Sequence, residues 1–298
     1  MRRKIPSLQA LACFEAAARH ESYTRAAQEL ALTQGAVSRQ ITALEEFLGQ
    51  TLFRRTRHGV ALTERGRDYC AQVAPRLQGL EQDTLDAMSP QGSGGTLHLA
   101  AVPTFATRWL IPRLPQFHAA HPDITVHIDT RTRPFLFADS GFDCALFAGT
   151  PEQISAWAGT RATRLLPEVV VPVCSPALLG GTAERTPAEL ATLPLLQQST
   201  RPNAWRAWFE ACGISVETAL SGPRFEQFSM TAAAAVCGMG VALVPRLLVQ
   251  GELQRGELVV ACDIALPEDR AVYLMQPERG DARPALGVFT QWLVAVSQ

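Results

Sequence analysis

One short run governs how this chain can be built: Ser89-Pro90-Gln91-Gly92-Ser93-Gly94-Gly95. Gly/Ser composition has nothing to pack and behaves as a flexible linker, so the residues on either side must bury separate cores. Length agrees, because 298 residues exceed what one hydrophobic core usually supports. The two sides also differ in charge. Residues 1–66 hold 10 Lys/Arg against 6 Asp/Glu, whereas residues 67–298 hold 17 against 22, which gives +4 and −5. A basic head on an acidic body implies that only the head approaches a polyanion.

Composition narrows the class. Hydrophobic content of 47% and charged content of 18% exclude disordered and collagen-like chains. No apolar run reaches the roughly 18 residues of a membrane-spanning helix, and the basic start at Met1–Pro6 has no apolar signal core behind it. A cytoplasmic protein without membrane association is expected. The seven cysteines (Cys13, Cys70, Cys144, Cys174, Cys212, Cys237, Cys262) are odd in number, scattered, and form no Cys-x-x-Cys pair. That is thiol usage in a reducing compartment, most of it as small packing hydrophobes.

The head reads as three helices and a hairpin. Ser7 caps a helix carrying Leu8, Leu11, Phe14 and Ala18, which ends at His20-Glu21-Ser22. Ser22 or Thr24 caps a second, short helix with Ala26, Ala27 and Leu30, and Leu32-Thr33 makes a tight turn with Thr33 capping a third. On a helical wheel centred on Val37, Ile41, Leu44 and Leu48 fall within about 40° and form one buried stripe. Gly35, Ser38, Arg39 and Thr42 lie between about 100° and 200°, a face with one guanidinium, two hydroxyls and a glycine that admits a close surface.

A helix presented in this way after a short helix and a turn sets its first side chains against base edges in the major groove. Gln34 matches adenine and Arg39 matches guanine in bidentate fashion, while Ser38 and the first helical amides suit a phosphate. An ordinary solvated helix face is the alternative reading. The next segment weighs against it, because Leu52-Phe53-Arg54-Arg55-Thr56-Arg57-His58-Gly59-Val60-Ala61-Leu62 alternates into a turn and out again. As a hairpin wing it places Arg54, Arg55 and Arg57, with His58 at the tip, where phosphates or the minor groove would lie.

From Glu64 to about Met88 a longer helix is expected, with Val73, Leu77, Leu80, Thr84 and Ala87 spaced as a heptad seam. Pro75 should kink it, and the seam serves either a dimer or packing on the chain's own body. After the linker, β-type runs alternate with helical stretches: Leu97–Val102, Ile124–Asp129, Phe142–Phe147, Val169–Cys174, Gly240–Val244, Glu257–Ala261 and Ala271–Met275, closed by a helix from about Pro284. The order argues for α/β layers.

Ser22-Tyr23-Thr24-Arg25-Ala26-Ala27, Leu32-Thr33-Gln34-Gly35-Ala36-Val37-Ser38-Arg39-Gln40-Ile41, Leu44-Glu45-Glu46, Leu52-Phe53-Arg54-Arg55 and Leu62-Thr63-Glu64-Arg65-Gly66 resemble the N-terminal domain of LysR-type transcriptional regulators. Phe105-Ala106-Thr107-Arg108-Trp109-Leu110-Ile111-Pro112-Arg113-Leu114, Gly141-Phe142-Asp143, Val173-Cys174-Ser175-Pro176 and Gly238-Met239-Gly240-Val241-Ala242-Leu243 are similar to that family's effector domain. The Phe105–Leu114 run and Trp205-Arg206-Ala207-Trp208-Phe209 lie closest to the subgroup with the glycine-cleavage activator and the β-lactamase regulator.

The resemblance implies an α/β chain in three parts. These are a winged helix-turn-helix at 1–66, a linker helix and hinge at 67–95, and a two-lobed, periplasmic-binding-protein-like effector domain at 96–298. Lobe I takes about 96–165 and 269–298, lobe II about 166–268. It implies promoter DNA, a small and anionic effector, a homodimer through the linker helix, a homotetramer and contact with RNA polymerase as partners, with no cofactor. Thr33, Gln34, Gly35, Ser38 and Arg39 fall where the family's recognition helix meets DNA, and Arg54, Arg55 and Arg57 on its wing. Gly35 replaces the more usual serine or proline. In the effector domain the resemblance assigns ligand contact to Thr104, Phe105, Phe147, Ser199, Thr200, Trp205 and Ser229. Trp205 and Trp208, three apart on a helix, equally suit the core. The subgroup's Phe-Asp-x-Ala-x-Arg reads Phe142-Asp143-Cys144-Ala145-Leu146-Phe147 here, so Phe147 removes a cation and a less acidic or more apolar ligand is admitted.

An enzyme or a solute-binding protein of α/β fold are the competing readings. The chain has no Gly-x-Ser-x-Gly elbow, phosphate loop or His-Glu-x-x-His. His118, His121 and His127 resemble a metal set in spacing, but His121 precedes Pro122 and His127 sits in a strand, so structural roles are expected. Both competing readings leave residues 1–66 unexplained.

Overall fold

The computed structural model describes residues 4–57, 59–88, 94–180, 184–278 and 283–298, without the side chains at 82, 83, 86, 87 and 266–268. His58, the seam position Ala87 and the linker residues 89–93 therefore lie outside the described residues. The chain forms two compact units, Met1–Pro90 and Gln91–Gln298.

In the first unit the three expected caps are all made. Ser7 Oγ accepts from Ala10 N at the start of α1 (Leu8–His20), Ser22 Oγ from Arg25 N at α2 (Tyr23–Glu29), and Thr33 Oγ1 from Ala36 N at α3 (Gln34–Leu48). Each satisfies an amide that the helix leaves without a partner. Ala26 and Ala27 are buried at the crossing of α2, and Phe14, Val37, Ile41, Leu44 and Leu52 form the centre of the core. Strands β1 (Phe53–Thr56) and β2 (Gly59–Leu62) pair antiparallel, with Phe53 edge-on to Phe14 at 5.6 Å.

Helix α4 (Glu64–Met88) runs through Pro75 as one helix of 25 residues. Its first turns pack on the head, with Tyr69 5.5 Å from the Phe14 ring and Cys70 on the same core. The heptad seam is divided accordingly. Val73 is buried, Leu77 half-buried, and Leu80 and Thr84 exposed; outside the seam, Leu85 and Met88 are exposed as well.

The second unit holds β3 (Gly95–Ala101), α5 (Pro103–Phe105), α6 (Leu114–Ala120), β4 (Ile124–Thr130), β5 (Cys144–Gly149), α7 (Pro151–Ser155), β6 (Thr160–Cys174) and α8 (Pro187–Leu190). It continues with β7 (Leu195–Gln198), α9 (Ala204–Ala211), β8 (Arg224–Phe225), α10 (Phe228–Val236), β9 (Val241–Pro245), α11 (Gln250–Arg255), β10 (Val259–Val260), β11 (Leu266–Pro277) and α12 (Pro284–Val296). A π-helical turn (Ala106–Leu110) and a 3-10 turn (Ile111–Arg113) join α5 to α6, since Pro112 and Pro115 have no N–H to continue a regular ladder.

One mixed sheet runs β4-β3-β5-β11-β6-β9-β7-β8, with β10 on β6. Period-two alternation divides its side chains between faces. Leu97, Leu99, Val272 and Leu274 meet Trp109, Phe117, Phe289 and Leu293 in one core, while Ala100, Ala145, Tyr273 and Met275 meet Trp157 on the other side. Further along, Val170, Val241 and Leu243 pack on Trp205, Trp208 and Phe209, and Val171, Val173 and Val244 on the alanines of α10. Each large apolar side chain so buried contributes roughly 1.5–3 kcal/mol.

Strands β6 and β11 are the ones that pass through both lobes. Their antiparallel register slips between Pro267 and Ala271, opposite Val169 and Pro167. Strand β6 is much longer than the expected Val169–Cys174, because Arg161, Arg164 and Glu168 break its apolar pattern. Strand β7 was not expected at all, and the pair read at Glu257–Ala261 shrinks to Val259–Val260. Gln197 and Gln198 hide β7 in the sequence, yet both are buried with their amides bonded to the Ser221 and Glu226 carbonyls.

Candidate DNA interface and interlobe cavity

On the head, burial of Val37, Ile41 and Leu44 turns the opposite face of α3 outward. Thr33, Gln34, Gly35 and Arg39 are exposed and Ser38 is half-buried. A Cβ built at Gly35 would meet only the Arg39 guanidinium, at 3.8 Å. Nothing within the chain requires a glycine there, so the space it leaves faces outward. Arg54, Arg55 and Arg57 are exposed on and beside β1, whose Phe53 is buried.

Contacts missed in the sequence fix the wing to α3 and to the end of α1. Glu45 Oε1, on α3, accepts the Leu52 and Phe53 amides at 2.6 and 3.1 Å, charge-assisted bonds that tie the root of β1 to the helix. At the other strand, Val60 N donates to the Glu21 carbonyl at 3.2 Å. A Cβ at Gly59, where φ is +153°, would stand 2.7 Å from that same oxygen, so only glycine fits. Glu45 follows directly from Leu44 in the pattern, but an acid on a helix flank signals no partner by itself.

The neighbourhood is electrostatically coupled. Burial, and then the Glu45 carboxylate, push the Tyr23 hydroxyl up to about 12 against the opposing pull of Arg55. Across the first turn, Arg19 bonds Glu15 and Glu29, and His20 Nε2 lies 2.6 Å from Glu29. Hydrogen bonds from Arg19 and His20 hold the Glu29 carboxyl down to about 2.

In the second unit a cavity of about 460 Å³ opens between the lobes, within the roughly 300–1,000 Å³ range of small-molecule sites. Of the residues expected there, Thr104, Phe105, Phe147 and Thr200 line it. Ser229 reaches it through Thr104, whose Oγ1 accepts the Ser229 amide at 3.2 Å. Ser199 and Trp205 do not line it. Gln198 and Thr200 take the wall positions, and the Ser199 amide bonds the Phe225 carbonyl. Trp205 is 1% exposed, donates from Nε1 to the Leu196 carbonyl and packs on Trp208 and Phe209, because α9 buries its aromatic face in lobe II.

The charged part of the wall was not anticipated. Glu168 on β6 is 3% exposed, with Arg201 Nη2 2.6 Å and Arg270 Nε 3.4 Å from its Oε2. Arg270 also donates to the Ala148 carbonyl at 3.0 Å and to Gln153 Oε1 at 3.2 Å, and Arg201 stacks over Phe228 at 4.8 Å. A guanidinium thus stands beside Phe147 after all, supplied by the neighbouring strand β11 rather than by β5. Away from the cavity, Arg108 of lobe I pairs with buried Glu252 of lobe II.

Desolvation raises the thiols of Cys144 and Cys174, both buried as packing hydrophobes, whereas Cys237 is exposed. Among the described residues no group of three His, Cys, Asp or Glu is placed to hold a metal. His121 lies on Phe117 and His127 stacks on His98. Nor, among the described residues, is any helix long and apolar enough to cross a membrane.

Known proteins match both units. Residues 8–67 fit the family described as "Bacterial regulatory helix-turn-helix protein, lysR family", and residues 90–298 fit "LysR substrate binding domain". The chain is 36% identical to the glycine cleavage system transcriptional activator of Escherichia coli over 99% of this chain and 95% of that one. It is 38% identical to the HTH-type transcriptional regulator TrpI of Pseudomonas aeruginosa, over 98% of each. The solved effector domain of the regulator AmpR of Pseudomonas aeruginosa is 28% identical, covers 68% of this chain and 94% of that one, and superposes with a TM-score of 0.58.

Proposed function

Because the chain belongs to the LysR family of transcriptional regulators, we propose that α3 enters the major groove of promoter DNA while the wing neutralises the flanking backbone. Gln34 and Arg39 read base edges, Thr33, Gly35 and Ser38 seat the helix start against the duplex, and Arg54, Arg55 and Arg57 meet phosphates. The observation that carries this is the outward part of α3, exposed at Gln34, Gly35 and Arg39 while Val37, Ile41 and Leu44 are buried.

The interlobe cavity holds a small effector, with Thr104, Phe105, Phe147 and Thr200 in contact. Ligand with unequal affinity for two lobe arrangements shifts the population between them and so changes promoter binding. The exposed Leu80, Leu85 and Met88 of α4 suit a homodimer. Two dimers on two half-sites make a tetramer, in the cytoplasm and beside RNA polymerase. Footprinting on the DNA upstream of its own gene tests this reading. Protection of half-sites separated by whole turns of about 10 base pairs is expected, and a featureless pattern at any protein concentration contradicts it.

A further inference from the structure

Glu168 presents a carboxylate to the cavity from within the chain. Its carboxylate is buried in the cavity wall between the guanidiniums of Arg201 and Arg270. Planar guanidiniums with several donors are the groups proteins use to grip carboxylates, and Arg201 is further held flat against Phe228. Taking a carboxylate out of water is costly, and such donors offset that cost. A second acid entering the cavity therefore competes with Glu168 for the same N–H groups.

The site of this ion pair matters as much as its chemistry. Glu168 and Arg270 sit on the two strands that cross between lobes, within the stretch where their register slips. The backbone ladder is irregular there, so the side-chain pair is one of the links holding β6 to β11. Arg270 is anchored to lobe I through the Ala148 carbonyl and Gln153, and Arg201 belongs to lobe II. Glu168 joins the two. The rest of the wall is apolar: Phe147, backed edge-on by Trp157 at 5.4 Å, faces a space also lined by Phe105, Leu247 and Val272.

We propose that the effector is a carboxylic acid with an apolar body, and that Glu168 is its internal stand-in, displaced from Arg201 and Arg270 when the acid binds. This rests on the reading of the cavity as the effector site. Displacement breaks the Glu168 link at the strand crossing and thereby frees the lobe angle to change.

Isothermal titration of the full-length protein with acetate, hexanoate, hydrocinnamate and the neutral amide of hydrocinnamate tests the proposal. Affinity is expected to rise from acetate to hydrocinnamate, with the amide weaker by about tenfold or more, the value of a hydrogen bond to charge. E168Q should bind the acids about tenfold tighter and the amide unchanged, since the competitor is gone. In a footprint without added acid, E168Q should resemble the wild type saturated with hydrocinnamate. Should E168Q fail to fold, E168D, which keeps the charge but withdraws it from Arg201, is expected to tighten acid binding to a smaller degree. Equal binding of acid and amide, no tightening in the folded variant, or no binding by any compound would each overturn the proposal. Loss of promoter binding by the wild type would instead strike the regulator reading, and is scored separately on DNA without any of these compounds.

Discussion

Arg39 on the head and Arg201 in the body carry the same guanidinium into opposite surroundings. Arg39 projects from an exposed helix face, whereas Arg201 is 12% exposed, paired to Glu168 and stacked on Phe228. An exposed cation keeps its hydration until a polyanion displaces counterions, so its contribution is shared among many contacts and weakened by salt. A buried cation has already exchanged water for a fixed partner, so a ligand gains only what it improves on that partner. In the proposed scheme the difference separates a surface that would find any duplex and then discriminate from a cavity that would admit one chemistry.

The sharpest way to break this comparison is Arg39→Ala. Loss of a bidentate contact should cost about 1–3 kcal/mol at the specific site with little change on random duplex, read from competition binding. Equal weakening on both would make Arg39 another phosphate contact. Next comes Glu45→Gln, which removes the charge from two bonds to the wing root and should cost about 1–2 kcal/mol of head stability. The same variant should blur discrimination although Glu45 touches no DNA in this scheme. Unchanged unfolding and unchanged discrimination would show that the wing needs no such tie.

Arg55→Ala is expected to act more evenly. Affinity should fall alike across sequences, and the slope of log affinity against log salt should shrink by about 0.9. A selective loss at one sequence would place Arg55 in a groove instead.

The smallest effect belongs to Glu29. Its folded carboxyl is held down to about 2, so its stabilising contribution is present above the ordinary carboxylate range and disappears as pH falls through about 2. The stability difference between wild type and Glu29→Gln should therefore shrink between roughly pH 5 and pH 2. A constant difference across that window would remove the ionic explanation.

The two regions also differ in how far their residues declared themselves. The head's surface is local: Thr33, Gln34, Gly35, Ser38 and Arg39 fall within the first turns of one helix and Arg54, Arg55 and Arg57 on one hairpin, so a wheel and an alternation were enough to propose them. Caps at Ser7, Ser22 and Thr33 were equally plain, because a hydroxyl before an apolar period is a short-range signal. The cavity wall is assembled from segments as distant as Thr104, Glu168, Arg201 and Arg270. No periodicity relates them. Glu168 looked like the polar edge of an apolar strand, and Trp205, the most conspicuous residue nearby, belonged to a core. Phe147 lines the cavity, and a cation, Arg270, reaches the same wall from β11, which only strand pairing reveals.

The proposed head is a sequence-reading module whose third helix faces DNA. Competition binding of the full-length protein, its own upstream DNA against random duplex of equal length at physiological salt, tests it most directly. A preference of about a thousandfold or more is predicted. Indistinguishable affinities, with the protein folded, would contradict it.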